Sequence, residues 1–193
     1  MPLTFRPKLD KIVELLLYLA HRRPGADKYQ AVKFFYLADR EHLIRHGRPI
    51  TFEKYYALWY GPVASHAKEL LERKQRTLAA AGIDALPFET EEVPHPTKPG
   101  ETILKLSRPL REVDLDKFSK SDIEVFNEVI EQYGDLSFDD LYKITHAHFA
   151  YRNAWDHRRF YENRAEMYYT DMIEDDERKA QVLEDIGPIS SNL

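Results

Sequence analysis

Between Leu9 and Ala20 the apolar positions Leu9, Ile12, Val13, Leu15, Leu16, Leu17, Tyr18 and Leu19 nearly encircle a helix. This pattern predicts a central helix rather than a surface one, ended by Pro24 and Gly25. Asp27 suits the N-cap of a second helix to Arg45, with Val32, Phe34, Phe35, Tyr36, Ala38 and Leu43 on a broad apolar face and Gly47 at its end. The two helices are expected to pack on each other. In "YYALWYGPV", residues 55 to 63, four large aromatics lead into a Gly-Pro step. Proline suits the first position of a helix, so a third helix is predicted from Pro62, carried by Val63, Ala67, Leu70, Leu71 and Lys74 to about Gly82.

From residue 85 the period changes. "LPFETEEV" and "ETILKLS" flank the proline-rich "PHPTKPG", and Leu104 and Leu106 alternate with Lys105, which predicts a β-hairpin. Helices then resume. Ser121 and Glu124 have capping-box spacing ahead of Ile123, Phe126, Ile130 and Tyr133, Gly134 supplies a stop, and Ser137 with Asp140 repeats the start signal. After Trp155 the apolar stripe weakens, so any helix there needs support from elsewhere, and residues 186 to 193 are expected to fray. The expected architecture is mainly α: a compact helical domain over residues 1–156, a small β-hairpin insertion at about 85–107, and a helical C-terminal extension over 157–193.

The 193 residues suffice for one compact core, and 43% hydrophobic with 32% charged residues excludes a disordered chain. Asp10, Lys11 and Glu14 interrupt the N-terminal apolar run, so neither a signal peptide nor a membrane span is expected and the cytoplasm is the expected compartment. Without cysteine there is no disulfide, thiolate metal site or cysteine nucleophile. A net charge of −5 argues against broad nucleic-acid binding and permits a basic partner.

No catalytic, metal or cofactor arrangement emerges. His42 and His46 are spaced i, i+4, but Leu43 stands where a zinc-protease helix carries its glutamate. His146 and His148 would point about 160° apart on a helix. Neither Ser65 nor Ser107 has a glycine-flanked elbow, and the seven glycines form no phosphate loop. Lys68, Arg73, Lys74 and Arg76 alternate with Glu69 and Glu72, the pattern of a paired, exposed helix face. Lys33, Tyr36, Asp39 and Arg40 share an arc of the second helix and suit structural hydrogen bonds. Tyr55, Tyr56, Trp59 and Tyr60 fit both a core role and a half-wet recognition surface.

Residues 31–63, "AVKFFYLADREHLIRHGRPITFEKYYALWYGPV", resemble the signature of the SocA-like antitoxin family, the Panacea domain. "SKSDIEVFNEVIEQYGDLSFDDLYKITH" through Trp155 is similar to that family's later pattern. The motif positions are Lys33, Tyr36, Asp39, Gly61, Pro62, Val63, His146 and Trp155. The resemblance implies a mostly helical protein that neutralises a separately encoded toxin by binding it, often from prophage gene pairs, with no catalytic residue. In one branch the antitoxin also delivers its toxin to a cellular protease, and some relatives carry an additional DNA-binding module, which is not expected here; a protease adaptor and a regulator of its own promoter are the alternative readings. A toxin partner implies a hetero-oligomer, and a homodimer is compatible with it. Tight neutralisation near nanomolar affinity needs an interface of about 1,600 Å². The aromatic box is too small for that, so Tyr161, Met167, Tyr168 and Tyr169 are expected to add contact area.

Overall fold

The computed structural model describes residues 3–193. It is mainly α with two small antiparallel sheets. Helix α1 (Leu9–Arg22) runs through the core, and α2 (Lys28–His46) is buried over most of its length. Asp27 caps α2 by accepting from the Gln30 amide, Gln30 returns a side-chain bond to the cap, and Gly47 ends the helix with φ of 77°. The nearest neighbours of α1 are α3 (Ser65–Leu71) and a strand of the second sheet, while α2 packs chiefly on α5 (Lys120–Tyr133). Buried residues of α1 and α2 belong to one hydrophobic core, and other elements cover the rest of their apolar faces.

The first sheet corrects the expected helix start at Pro62. Strands β1 (Tyr55–Leu58) and β2 (Gly61–Ala64) form a hairpin in which Ala57 pairs with Pro62. Strand β2 lies at the edge of the order β2-β1-β5, where a residue without an N–H is tolerated. The helix begins three residues later at Ser65, and Glu53 from the loop before β1 supplies its cap. The Glu53 carboxylate accepts from the His66 and Ala67 amides and from His66 Nδ1. Nor is residues 62–82 one helix: Arg73 at φ of 53° separates α3 from α4 (Gln75–Ala80).

The predicted hairpin is present as β3 (Phe88–Pro94) and β4 (Thr102–Pro109), with Phe88 and Leu106 anchoring it in the core. After a short 3-10 turn, α5 starts two residues earlier than the spacing predicts. Ser119 is its N-cap and Asp122 the reciprocal partner, while Ser121 faces His42. Asp122 has a second role that explains the shift. Fully buried, it meets Lys11 Nζ at 2.6 Å, Arg48 at 3.0 Å and His42 Nε2 at 3.1 Å, tying α1, α2 and α5 together. Burial opposes its ionisation, yet His42 and Lys11 hold the carboxyl far below the usual carboxylate range.

Helices α6 (Phe138–Ala147), capped by Ser137 as predicted, and α7 (Phe149–Asp156) follow. The segment after Asp156 then returns to the body. Strand β5 (Ala165–Glu166) pairs with β1, and the short α8 (Tyr169–Met172) buries Tyr169 and Met172. Helix α9 (Asp176–Asp185) leads to a 3-10 turn over Gly187–Asn192. The last residues are tied down instead of frayed: Ser190 is buried and its hydroxyl accepts from the Thr4 amide. No helix among the described residues is long and apolar enough to cross a membrane.

Candidate partner-binding surface

The two-residue turn between β1 and β2 organises the site. Leu58 pairs with Gly61, leaving Trp59 and Tyr60 at the tip, 65% and 51% exposed. The turn is fixed from beneath. Lys33 of α2, wholly buried, donates from Nζ to the Tyr60 carbonyl at 2.7 Å and the Pro62 carbonyl at 2.8 Å, and lies 4.8 Å from the Tyr29 ring centroid. Burial drives its pKa well below the ordinary lysine value. Gly61 has φ of 97°, and a Cβ there would come within 2.8 Å of Lys33 Nζ, 3.0 Å of Thr145 Oγ1 and 3.1 Å of His146 Cε1. Only glycine allows that backbone so close to three side chains.

His146 of α6 reaches the turn from the other side. Its Nε2 lies 3.2 Å from the Trp59 carbonyl and its Nδ1 2.7 Å from the Tyr142 carbonyl. Burial lowers its pKa, against the pull of both carbonyls. A neutral imidazole has one N–H and so donates to one of the two. Tyr151 completes the support by donating to the Leu58 carbonyl at 3.0 Å.

Aromatic rings close a belt around this tip. Tyr60 meets Phe138 edge-on at 5.7 Å, and Phe138 stacks on Tyr142 at 6.2 Å. Tyr142 stacks on His146 at 3.6 Å, His146 touches Tyr151, Tyr151 stacks on Trp155 at 6.1 Å, and Trp155 returns edge-on to Trp59 at 6.0 Å. The Arg158 guanidinium lies 3.7 Å over the Trp155 ring. Beside Tyr60 and Phe138 lies an open groove of about 1100 Å³, lined also by Tyr29 and by Thr90 and Leu104 of the β3–β4 hairpin.

A second buried polar centre holds the base of the hairpin. Asp39 accepts from the amides of Ile50 and Thr51, from the Thr51 hydroxyl, from Tyr55 at 2.9 Å and from Tyr169 at 3.3 Å. Complete burial pushes its carboxyl above the usual range, and the Thr51 and Tyr55 donors oppose that rise. The Tyr36 hydroxyl and His148 Nδ1 share a hydrogen bond of 3.1 Å, and burial lowers the His148 pKa to about 4.

The structure divides the residues singled out in the sequence. Trp59, Tyr60, Tyr161 and Tyr168 are exposed, and Tyr56 is half-buried under Lys54 and Arg164. Tyr55, Met167 and Tyr169 are buried, which corrects their expected place on a contact surface. The strand period turns Tyr55 inward and Tyr56 outward, while Met167 follows β5, its amide donating to the Tyr55 carbonyl, and Tyr169 is drawn in by Asp39 and by the Glu53 carbonyl. Among the motif positions, Lys33, Gly61, Pro62 and His146 meet at the turn, with Val63 and Trp155 half-buried beside it, while Tyr36 and Asp39 lie deeper. His42 and His46 do not share a ligand position, since His42 Nδ1 bonds the Arg48 carbonyl. No group of three or more potential metal ligands occurs among the described residues. Phe138, Tyr142 and Tyr151 were not foreseen, although 138-142-146 and 151-155 repeat at i, i+4, the spacing that stacks rings along one helix face.

A family model for the SocA-like antitoxin, Panacea domain, matches residues 32–156. Comparison with curated proteins and with solved structures gave no match. The matched span contains Lys33, Gly61, His146 and Trp155, and it extends over more than half of the sequence, so the chain belongs to the SocA-like antitoxin family.

Proposed function

We propose that this protein is an antitoxin that neutralises its cognate toxin in the cytoplasm by covering it, without catalysis, and that the aromatic belt around Trp59 and Tyr60 is part of the covering surface. One observation carries the reading: two large aromatics stand in water at a turn held from below by a buried lysine, a required glycine and a histidine. Exposing Trp59, Tyr60 and Phe138 side by side costs solubility that a monomer without partners has no reason to accept. Rigid presentation lowers the ordering cost of binding, and tryptophan and tyrosine are the residues on which interface energy concentrates.

The test is growth rescue. The full chain is co-expressed with the product of the neighbouring gene, first confirmed to arrest growth alone. Rescue by the unmodified chain, lost in a folded Trp59→Ala/Tyr60→Ala variant, supports the proposal. Rescue that survives the double substitution removes the belt from it, and no rescue by the unmodified chain removes the antitoxin role.

A further inference from the structure

Beyond the belt, the loop at 157–164 between α7 and β5 carries chemistry that neither the fold nor the turn uses. It reads "HRRFYENR" and places Arg158, Arg159 and Arg164 within seven residues of a chain whose net charge is −5. Several other arginines are ion-paired, among them Arg40 with Glu174, Arg45 with Glu128, Arg108 with Glu89 and Arg111 with Glu14, while Arg73 and Arg178 bond neutral groups. Among the described residues the three loop arginines have uncharged neighbours instead. Arg158 lies over Trp155 and donates to its carbonyl, Arg159 donates to the Tyr161 hydroxyl at 3.2 Å, and Arg164 lies 4.8 Å over the Tyr56 ring. Glu162 is the one exposed acid within the arginine run. Phe160 is fully exposed, and Tyr161 stands beside a cleft of about 400 Å³ reaching Tyr56.

An exposed phenylalanine beside arginines that no acid pairs is costly unless something covers it. The charge decides what fits. Arg164 rests its face on the Tyr56 ring and the exposed Arg159 bonds only the Tyr161 hydroxyl, so both present N–H edges that match carboxylates two bonds at a time, whereas Arg158 is committed to Trp155. We infer that this loop is the second half of the toxin-binding face, and that it receives a carboxylate-rich surface of the partner protein with an apolar recess for Phe160. The inference rests on the antitoxin reading and names the partner's chemistry at that face. It differs from the expectation of a basic partner that the overall charge suggests, because the net charge and the local charge have opposite signs here. A nucleic acid is the weaker fit: three arginines neutralise few phosphates, and Trp, Tyr and Arg together are the composition of protein interfaces.

The experiment measures binding of the purified full chain to the neighbouring gene's product at low and high salt. Three proteins are compared: the unmodified chain, Arg159→Glu/Arg164→Glu, and Phe160→Ala. The substituted side chains are exposed, so melting midpoints and far-ultraviolet spectra are expected to be unchanged. The charge reversal is expected to weaken binding about 100-fold at low salt and to remove most of the salt dependence, while Phe160→Ala weakens it about tenfold at both salts. Unchanged binding by both variants overturns the inference and leaves the antitoxin reading standing. No binding by the unmodified chain overturns both. Tight binding of a single-stranded oligonucleotide, lost on charge reversal, assigns the face to nucleic acid and overturns the inference.

Discussion

The Lys33 ammonium lies 2.8 Å from the point where a side chain on Gly61 would begin, and it holds the carbonyls on either side of that glycine. Alanine at position 61 therefore meets two penalties, a left-handed φ of 97° and displacement of a buried, hydrogen-bonded lysine. Gly61→Ala is expected to cost about 2 kcal/mol or more in urea unfolding.

Lys33→Met separates the two contributions. The change removes a desolvated charge, which offsets part of the loss of two carbonyl partners, so stability is expected to fall by only about 1–2 kcal/mol. The turn nevertheless loses its anchor. Hydrogen exchange in the paired strands β1 and β2 should accelerate in Lys33→Met, while α1 and α5 stay protected.

Asp39 is the more vulnerable point, because four donors depend on one carboxylate and a fifth, the Tyr169 hydroxyl, is shared between it and the Glu53 carbonyl. Asp39→Ala leaves buried amides and hydroxyls without an acceptor at about 1–3 kcal/mol each, enough to unfold most of the population. Asp39→Asn keeps one acceptor oxygen, and the hydroxyls of Thr51, Tyr55 and Tyr169 can rotate to accept from its amide. A soluble, weakened Asp39→Asn beside an aggregated Asp39→Ala is the expected pair of results from expression and thermal melting.

His148 gives a pH dependence with a definite sign. Its pKa is lowered from 6.5 to about 4 because the charged form would be buried beside Tyr36. The unfolded chain thus takes up this proton near pH 6.5 and the folded chain only near pH 4, so the stabilisation present above 6.5 is lost as pH falls through that window. The difference between 6.5 and about 4 corresponds to roughly 3 kcal/mol, reduced because the ring is partly exposed. Melting midpoints between pH 7 and 4 should fall more steeply for the unmodified chain than for His148→Gln.

The sequence carries the helices more clearly than the site, and the difference has physical causes. Periodic burial made α1 and α2 readable, and the Asp27, Gly47 and Ser137 signals mark real helix ends. Pro62 misled because its missing N–H suits a helix start and an edge strand equally, and the choice depends on β1, which is distant from the proline's own preferences. The capping box was misplaced by two residues because Asp122 answers to Lys11, 111 residues away. Long-range partners of this kind leave no local periodicity. The motif positions Lys33, Gly61 and His146 stood out in the sequence, but that they converge on one turn required the fold.

The strand alternation at 55–60 turns the double character of the aromatic box into an experiment. Tyr55 is buried against Tyr36 and bonded to Asp39, whereas Trp59 touches Trp155 at the surface. Tyr55→Ala opens a cavity and removes one of the Asp39 donors, so a loss of about 3–5 kcal/mol is expected. Trp59→Ala removes an exposed ring and should change stability by less than about 1 kcal/mol, while binding to the toxin weakens about 30-fold. Chemical denaturation and binding measured on the same two preparations decide between the roles. If Trp59→Ala destabilised the fold as much as Tyr55→Ala, the tip would be core material and the binding surface would have to lie elsewhere.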